Sequence, residues 1–355
     1  PNENPVADGA PMLEVRTAVI IFVAIVVAAA VLVGLSRRLL LRHQILDRPN
    51  ARSSHETPTP RGGGLGVLAI LLPAWVVVSF TIPSTIVGDS EARWVIPLAA
   101  LLLAAVSWID DVRGLAPGPR FAVQLSAGFV GALLIPGQVF QGLLPGPVDT
   151  VVAAIGWVWF VNLFNFMDGI DGISGVETIT IGLGITLIGM LAGGSLDAIH
   201  VQSLIVAAAA AGFLVWNWAP ARIFLGDSGS VPLGYLLGWL LLSLAASGEW
   251  QAAAILPLYY LADATITLFR RIARREKFWH AHRDHYYQAA IKHGMSHARV
   301  STAIAVVNLL LVGLALVSVS AGPGTPWPWV ALLAAGILVA LLLAWLARPR
   351  TTAKN

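Results

Sequence analysis

The sequence predicts an all-α, polytopic integral membrane protein, and three observations predict it. Of 355 residues, 57% are hydrophobic and only 12% are charged, about half the charge of a soluble domain. About eleven apolar stretches approach the ~20 residues a helix needs to cross a bilayer. The charges are confined to the connections and sorted by sign of side: all of the 22 Lys and Arg except Arg16 and Arg93 fall on one face when the spans alternate. The chain has no Cys, which excludes disulfides, thiolate chemistry and Cys-ligated zinc. The net charge is only +3, so the basic residues speak of orientation rather than of a nucleic-acid partner.

Residues 1–15 form a polar segment that begins without Met and reads as a trimmed start. The spans follow at roughly 16–35, 64–82, 94–109, 119–136, 151–167, 175–192, 198–216, 231–247, 251–269, 300–320 and 327–346. The first is too long for a cleaved signal peptide, and Arg37 and Arg38 follow it at once. Alternation places 36–63, 110–118, 168–174, 217–230, 270–299 and the tail 348–355 on the basic side. By the positive-inside rule that side is cytoplasmic, the N-terminus outside and the C-terminus inside. Residues 16–347 then form a single transmembrane domain. The opposite loops are short and rich in Gly, Pro and Ser. The polar stretch 270–299 is itself expected to be helical.

Five clusters on the basic side carry the polar chemistry. The first runs from Arg52 to Gly64 and holds Thr57, Arg61 and the run Gly62-Gly63-Gly64. A glycine run opening a helix offers backbone N–H groups to phosphate, and the arginines add charge-assisted donors. The same loop also reads as a flexible basic segment lying on anionic lipid.

The second cluster is Asp110-Asp111, followed by Arg113, Arg120 and Gln124. Two adjacent carboxylates at a helix C-terminus oppose the helix dipole and stay ionised together only beside a cation. Mg²⁺ suits a site to which the substrate brings phosphate.

The third cluster sets Asn162, Asn165, Asp168 and Asp171 three residues apart. On an α-helix, with ~100° per residue, that stripe drifts round half the circumference. A 3₁₀-like or unwound segment would align it, and Gly169 and Gly172 permit the opening. Asn162 also reads as hydrogen-bonding glue between helices.

The fourth cluster places Asp227 between glycines before a helix, with Ser228 and Ser230 beside it, and any of the three could cap that helix. The fifth, around His280, His282, Arg283 and His285, sets two His three apart. They suit anionic oxygens or a metal, or a basic interfacial helix. Asp263 alone stands inside a span. From the residues themselves, metal-assisted phosphoryl transfer at a membrane face is the reading. A secondary transporter would instead want its polar groups near the midplane.

The stretches PNARSSHETPTPRGGG, the Asp pair at 110–111 with Arg120-Phe121 and Gln124, NLFNFMDGIDG, PARIFLGDSGS and HAHRDHYYQ appear in one order over residues 49–288. In these the chain resembles the polyprenyl-phosphate N-acetylhexosamine-1-phosphate transferases, the glycosyltransferase 4 superfamily of MraY/WecA type. It looks closest to the branch that initiates bacterial O-antigen and capsule, hence lipopolysaccharide and cell-wall biogenesis. It lacks the run of three His found in the peptidoglycan-precursor enzyme, the phospho-muramoyl-pentapeptide transferase, which is the alternative within the family.

The resemblance implies transfer of HexNAc-1-phosphate from a UDP-HexNAc to undecaprenyl or another polyprenyl phosphate, with release of UMP, at the bacterial inner membrane and with the site facing the cytoplasm. It implies Mg²⁺, with Mn²⁺ as a substitute, held by Asp227 and Asn165. Asp110, Asp111, Asp168, His282 and His285 would be catalytic. Arg52, Thr57, Arg120, Asp171, Phe224 and Arg283 would bind substrate, Asp171 and Phe224 on the uracil. The partners implied are the lipid phosphate and the nucleotide sugar, with no nucleic acid and with a homodimer admissible.

Overall fold

A computed structural model describes residues 15–49, 57–84, 91–193, 196–276, 283–322 and 324–349. The chain is an all-α polytopic membrane protein. Its helices are α1 (Val15–Arg42), α2 (Gly63–Thr81), α3 (Ala92–Arg113), α4 (Pro117–Ala132), α5 (Gly146–Met167), α6 (Ile173–Gly193), α7 (Ala198–Asn217), α8 (Asp227–Leu244), α9 (Trp250–Ile255), α10 (Leu258–Ala273), α11 (Tyr286–Lys292), α12 (His297–Ser320) and α13 (Trp327–Ala347). Nine helical stretches of the described residues are long and apolar enough to cross a membrane.

That number is smaller than eleven for two local reasons. α4 and α10 are only 16 residues each. The stretch expected at 251–269 is also divided. α8 continues through a kink at Gly248 into α9, and one long span results. A fresh helix then starts after Pro257, whose ring carries no N–H to continue the old one.

One local element is added and one further expectation is corrected. The 36–63 connection contains a short antiparallel pair, β1 (Leu46–Asp47) with β2 (Thr59–Pro60). The 270–299 stretch is not one helix: α10 stops at Ala273 and α11 begins at Tyr286.

The inner layer is built on small residues. α8 is buried along nearly its whole length. Its glycines let neighbours approach closely, as membrane helices require in the absence of a hydrophobic drive between them. Gly234 faces Phe164 and Val161, and Gly238 faces the Trp157 ring. Trp157 stacks on Tyr235 with centroids 4.6 Å apart and donates its indole N–H to the Tyr235 carbonyl at 2.9 Å. The Tyr235 hydroxyl donates to Ala127 O at 3.2 Å, so α4, α5 and α8 are bound together. α1 lies outside this layer. It packs on α7 through Ala29, which faces Gly212, and on α2 through Val33, which faces Gly66, and leaves Val19, Ile20, Val23, Val27 and Val31 exposed. An apolar row of that length suits lipid contact.

Alternating direction brings the starts of α2, α4, α6 and α8 and the ends of α3, α5 and α7 to one end of the bundle. The polar clusters meet there.

Candidate active site

The centre of the site is Arg61. Its backbone bridges Phe224 in parallel, just after β2, which aims the side chain at the start of α8. Arg61 Nη2 stands 2.9 Å from Asp111 Oδ1 and 2.7 Å from Asp227 Oδ1. Burial works against the Arg61 charge, but Asp227 and Asp111 outweigh it and hold the guanidinium above its usual pKa.

Asp111, at the end of α3, also accepts the Ser228 N–H at 3.1 Å, in the first turn of α8. Its neighbour Asp110 accepts from Arg120 through Oδ2 and from the Leu115 N–H through Oδ1 at 2.6 Å. Arg120 Nη1 is 3.7 Å from Asp227 Oδ2, which links the two aspartates of α3 through α8. Asn165 donates to the Ser230 hydroxyl at 2.8 Å, and Ser230 donates on to Gly226 O at 3.2 Å.

Asp168 follows α5. Burial pushes its carboxyl up to about 7. The negative charges of Asp227 and Asp111 add to this, while a hydrogen bond from Ser174 and the charge of Arg61 oppose it. The structure therefore gathers Asp110, Asp111, Arg120, Asn165, Asp168 and Asp227 at one end of the bundle.

The glycine run plays a different part from the one expected. The Gly62 and Gly63 N–H groups both donate to Phe224 O, at 3.2 and 2.8 Å, and the Gly64 N–H donates to Leu225 O at 2.9 Å. They are spent within the protein and are not open to phosphate. The reason is close packing, because a Cβ on Gly64 would collide with Gly229.

The stripe of four polar residues does not align either. α5 stays α-helical to Met167, so its residues diverge. Asn162 donates to Gln124 Oε1 at 2.9 Å, which is helix-to-helix glue. Asp171 Oδ2 accepts the Ala221 N–H at 3.0 Å, and Oδ1 lies 3.2 Å from His297 Nδ1. Asp171 thus fastens the turn after α5 to the loop before α8 and to α12. Gly172, at φ +81°, carries that turn and donates to Asn217 Oδ1 at 2.9 Å.

The expected helix face carrying His285 is corrected: His285 lies outside the helix. It precedes α11 as its N-cap, is buried, and sits 3.2 Å from Asp263 Oδ1. Asp263 collects the start of α11: it accepts the N–H groups of Tyr286 at 3.0 Å and Tyr287 at 3.3 Å. The Tyr287 hydroxyl then reaches Phe166 O at 3.1 Å, under the turn that carries Asp168.

Thr57 is exposed, and its carbonyl accepts the Thr59 hydroxyl at 3.0 Å. Phe224 is half-buried beside Arg61. The Arg283 carbonyl accepts from Lys292 Nζ at 2.6 Å. Arg52, His280 and His282 lie outside the described residues. Arg61 and Asp263 are the residues that reasoning from sequence undervalued. An Arg flanked by Pro and Gly, and a lone Asp inside a span, were their signals.

Four carboxylates and two guanidinium groups leave the cluster with excess negative charge. Asp111 and Asp227 aim one oxygen each at a single position now taken by Arg61 Nη2. Such hard oxygen donors fit Mg²⁺, which takes one or two carboxylates and completes its shell with water and phosphate. Among the described residues, no three acidic, His or Cys side chains are grouped so as to hold a metal ion by themselves. Asp110, Arg120 and Asp227 line a small groove between α3, α4 and α8, together with Ser107, Gln124, Leu103, Val106 and Val231.

Comparison with known proteins bears on the same residues. A model of glycosyl transferase family 4 matches residues 93–245. The chain is 25% identical over 317 residues to the "probable undecaprenyl-phosphate N-acetylglucosaminyl 1-phosphate transferase" of Bacillus subtilis, covering 85% of this chain and 84% of that protein. It is 28% identical over 324 residues to the decaprenyl-phosphate N-acetylglucosaminephosphotransferase of Mycobacterium leprae, covering 82% and 80%. It is 26% identical over 274 residues to a phospho-N-acetylmuramoyl-pentapeptide-transferase of Streptococcus pneumoniae, covering 73% and 81%.

Proposed function

We propose that this chain, which carries a glycosyl transferase family 4 domain, moves HexNAc-1-phosphate from a UDP-HexNAc to a polyprenyl phosphate. The products are polyprenyl-diphospho-HexNAc and UMP, and the reaction begins a cell-surface polysaccharide at the cytoplasmic face of the bacterial inner membrane. One observation carries this reading. Aspartates from the end of α3 and the start of α8 pair with Arg61 and Arg120, within electrostatic reach of Asp168 at the end of α5 and beside a small groove of mixed polar and apolar lining.

A lipid phosphate oxygen attacks the β-phosphorus of the donor. A new P–O bond forms, and the bond from that phosphorus to the oxygen bridging to UMP breaks. The sugar–oxygen bond is untouched, so the anomeric configuration is kept. Phosphoryl transfer asks a protein for positioning and for charge neutralisation. Arg61 and Arg120 supply positive charge at the diphosphate. Asp110, gripped by Arg120 and the Leu115 N–H, orients the acceptor end of the groove. A phosphate monoester has its second pKa near ~6 and is already largely dianionic at neutral pH, so no strong base is required of Asp110. Asp111, Asp227 and Asn165 would hold Mg²⁺, which supplies charge neutralisation for the two phosphates. Tyr287 and Asp171 keep the turn bearing Asp168 in place.

The test is UMP release by purified protein from a panel of UDP-sugars with polyprenyl phosphate and Mg²⁺. Turnover confined to UDP-HexNAc donors and dependent on the lipid phosphate is expected. No UMP from any donor would overturn the reading.

A further inference from the structure

Roughly 30 Å along α8 and its continuation from Asp227, at the opposite end of the bundle, a second polar site is built around Glu249. The backbone there departs from the α-helix. Gly248, at φ 108°, breaks the helix and makes a kink between α8 and α9. Glycine is the residue that such a kink admits. This one is held from outside: Gln141 donates to Ala245 O at 2.7 Å, and the loop of Gln141 is itself fixed by buried Asp149, which accepts the Val139 and Phe140 N–H groups at 3.0 and 2.9 Å.

The kink presents Glu249 to a cleft of about 510 Å³ that opens to solvent. Trp250 and Trp329 line the same cleft and meet edge to face, with centroids 5.2 Å apart and planes at 73°. Trp329 is 59% exposed. Among the described residues, no cation pairs with Glu249, whose surroundings impose burial alone. A partly buried carboxylate without a counter-charge among the described residues, in one cleft with two indole rings, is the chemistry that recognises an ammonium group.

We propose that the Glu249–Trp250–Trp329 cleft binds an ammonium-bearing headgroup at the end of the bundle remote from the phosphoryl-transfer site. The ammonium would come from a phospholipid such as phosphatidylethanolamine or from a free amine. Glu249 would supply the charge and the indole faces the cation–π contact. The site stands apart from the catalytic reading and would exist whether or not that reading holds.

Native mass spectrometry of the full chain, released from bilayers of equal phosphatidylethanolamine and phosphatidylglycerol, tests it. The wild type is expected to retain phosphatidylethanolamine in preference. Glu249→Gln is expected to lose that preference by about tenfold, and Trp329→Ala by several-fold, with unfolding temperatures unchanged. Trp329 is exposed, so its variant serves should Glu249→Gln fail to fold. Displacement of the lipid by free ethanolamine supports the same ammonium chemistry. Binding of ethanolamine with no lipid preference points to the soluble source, provided that Glu249→Gln abolishes it. Equal retention of the two lipids together with no binding of ethanolamine, or wild-type behaviour in both variants, would overturn the proposal.

Discussion

Gly64, at the start of α2, and Gly229, at the start of α8, meet backbone to backbone. A Cβ built on Gly229 would stand 2.6 Å from Gly64 Cα. This contact sets Asp227 and Arg61 at their separation, because each lies within three residues of one of the glycines. Gly229→Ala is expected to cost about 1–3 kcal/mol through overpacking against rigid backbone and to lower turnover more than tenfold. Thermal unfolding and UMP release check the two effects. A wild-type Gly229→Ala would mean that the crossing does not set the site.

Arg61 occupies the position that Asp111 and Asp227 would offer to a divalent cation. Removing it leaves two carboxylates facing each other with only Arg120, 3.7 Å from Asp227 Oδ2, as a counter-charge. Arg61→Ala is therefore expected to bind Mg²⁺ more tightly, with half-saturation at a lower concentration, while maximal turnover falls. Titration of activity with Mg²⁺ separates the two quantities. A higher half-saturation would show that Arg61 and the cation do not compete.

Metal removal tests the donor set directly. EDTA is expected to abolish turnover, and added Mg²⁺ or Mn²⁺ to restore it. Asp227→Ala is expected to abolish it under all three conditions. Full activity in EDTA, or in Asp227→Ala, would defeat the assignment of Asp227 and Asn165 as ligands.

Asp168 makes stability depend on pH in a definite direction. Burial, then the charges of Asp227 and Asp111, push its carboxyl up to about 7 in the folded chain, against an unfolded value of about 4. The native state binds the extra proton between those values, so the contribution of Asp168 to stability is greatest at low pH and is lost as pH rises through about 7. In EDTA, the unfolding temperature of the wild type relative to Asp168→Asn is expected to fall between pH 5 and pH 8. A constant difference across that range would refute the shift.

Asp263 bears no direct relation to substrate in this arrangement, yet it positions the turn that carries Asp168 through α11 and Tyr287. Asp263→Ala leaves the Tyr286 and Tyr287 N–H groups without their acceptor, at about 1–3 kcal/mol for each buried group left unpaired. Loss of stability is expected with a lower kcat and a nearly unchanged KM for the lipid. Tyr287→Phe, which removes only the hydroxyl bonded to Phe166 O, should show a smaller loss of the same kind.

The membrane class, the helical architecture and the gathering of polar groups at helix mouths follow from the sequence by itself. Hydrocarbon admits few charges and no unpaired backbone, so hydropathy and the placement of Asp, Asn and Arg are written along the chain. The pairings were decided only by the tertiary structure. The Gly62–Gly64 run reads from sequence as a phosphate cradle or as part of a flexible basic loop on lipid, and only the position of Gly229 shows it to be a helix crossing. The stripe from Asn162 to Asp171 has a regular period, but its partners, Gln124, Ser230, Ala221 and His297, come from four other segments. Asp263 and Arg61 are single residues with no local pattern, and their roles appear when chain ends far apart in sequence meet. Local physics prescribes which residues must leave the lipid, whereas distant packing determines which of them touch.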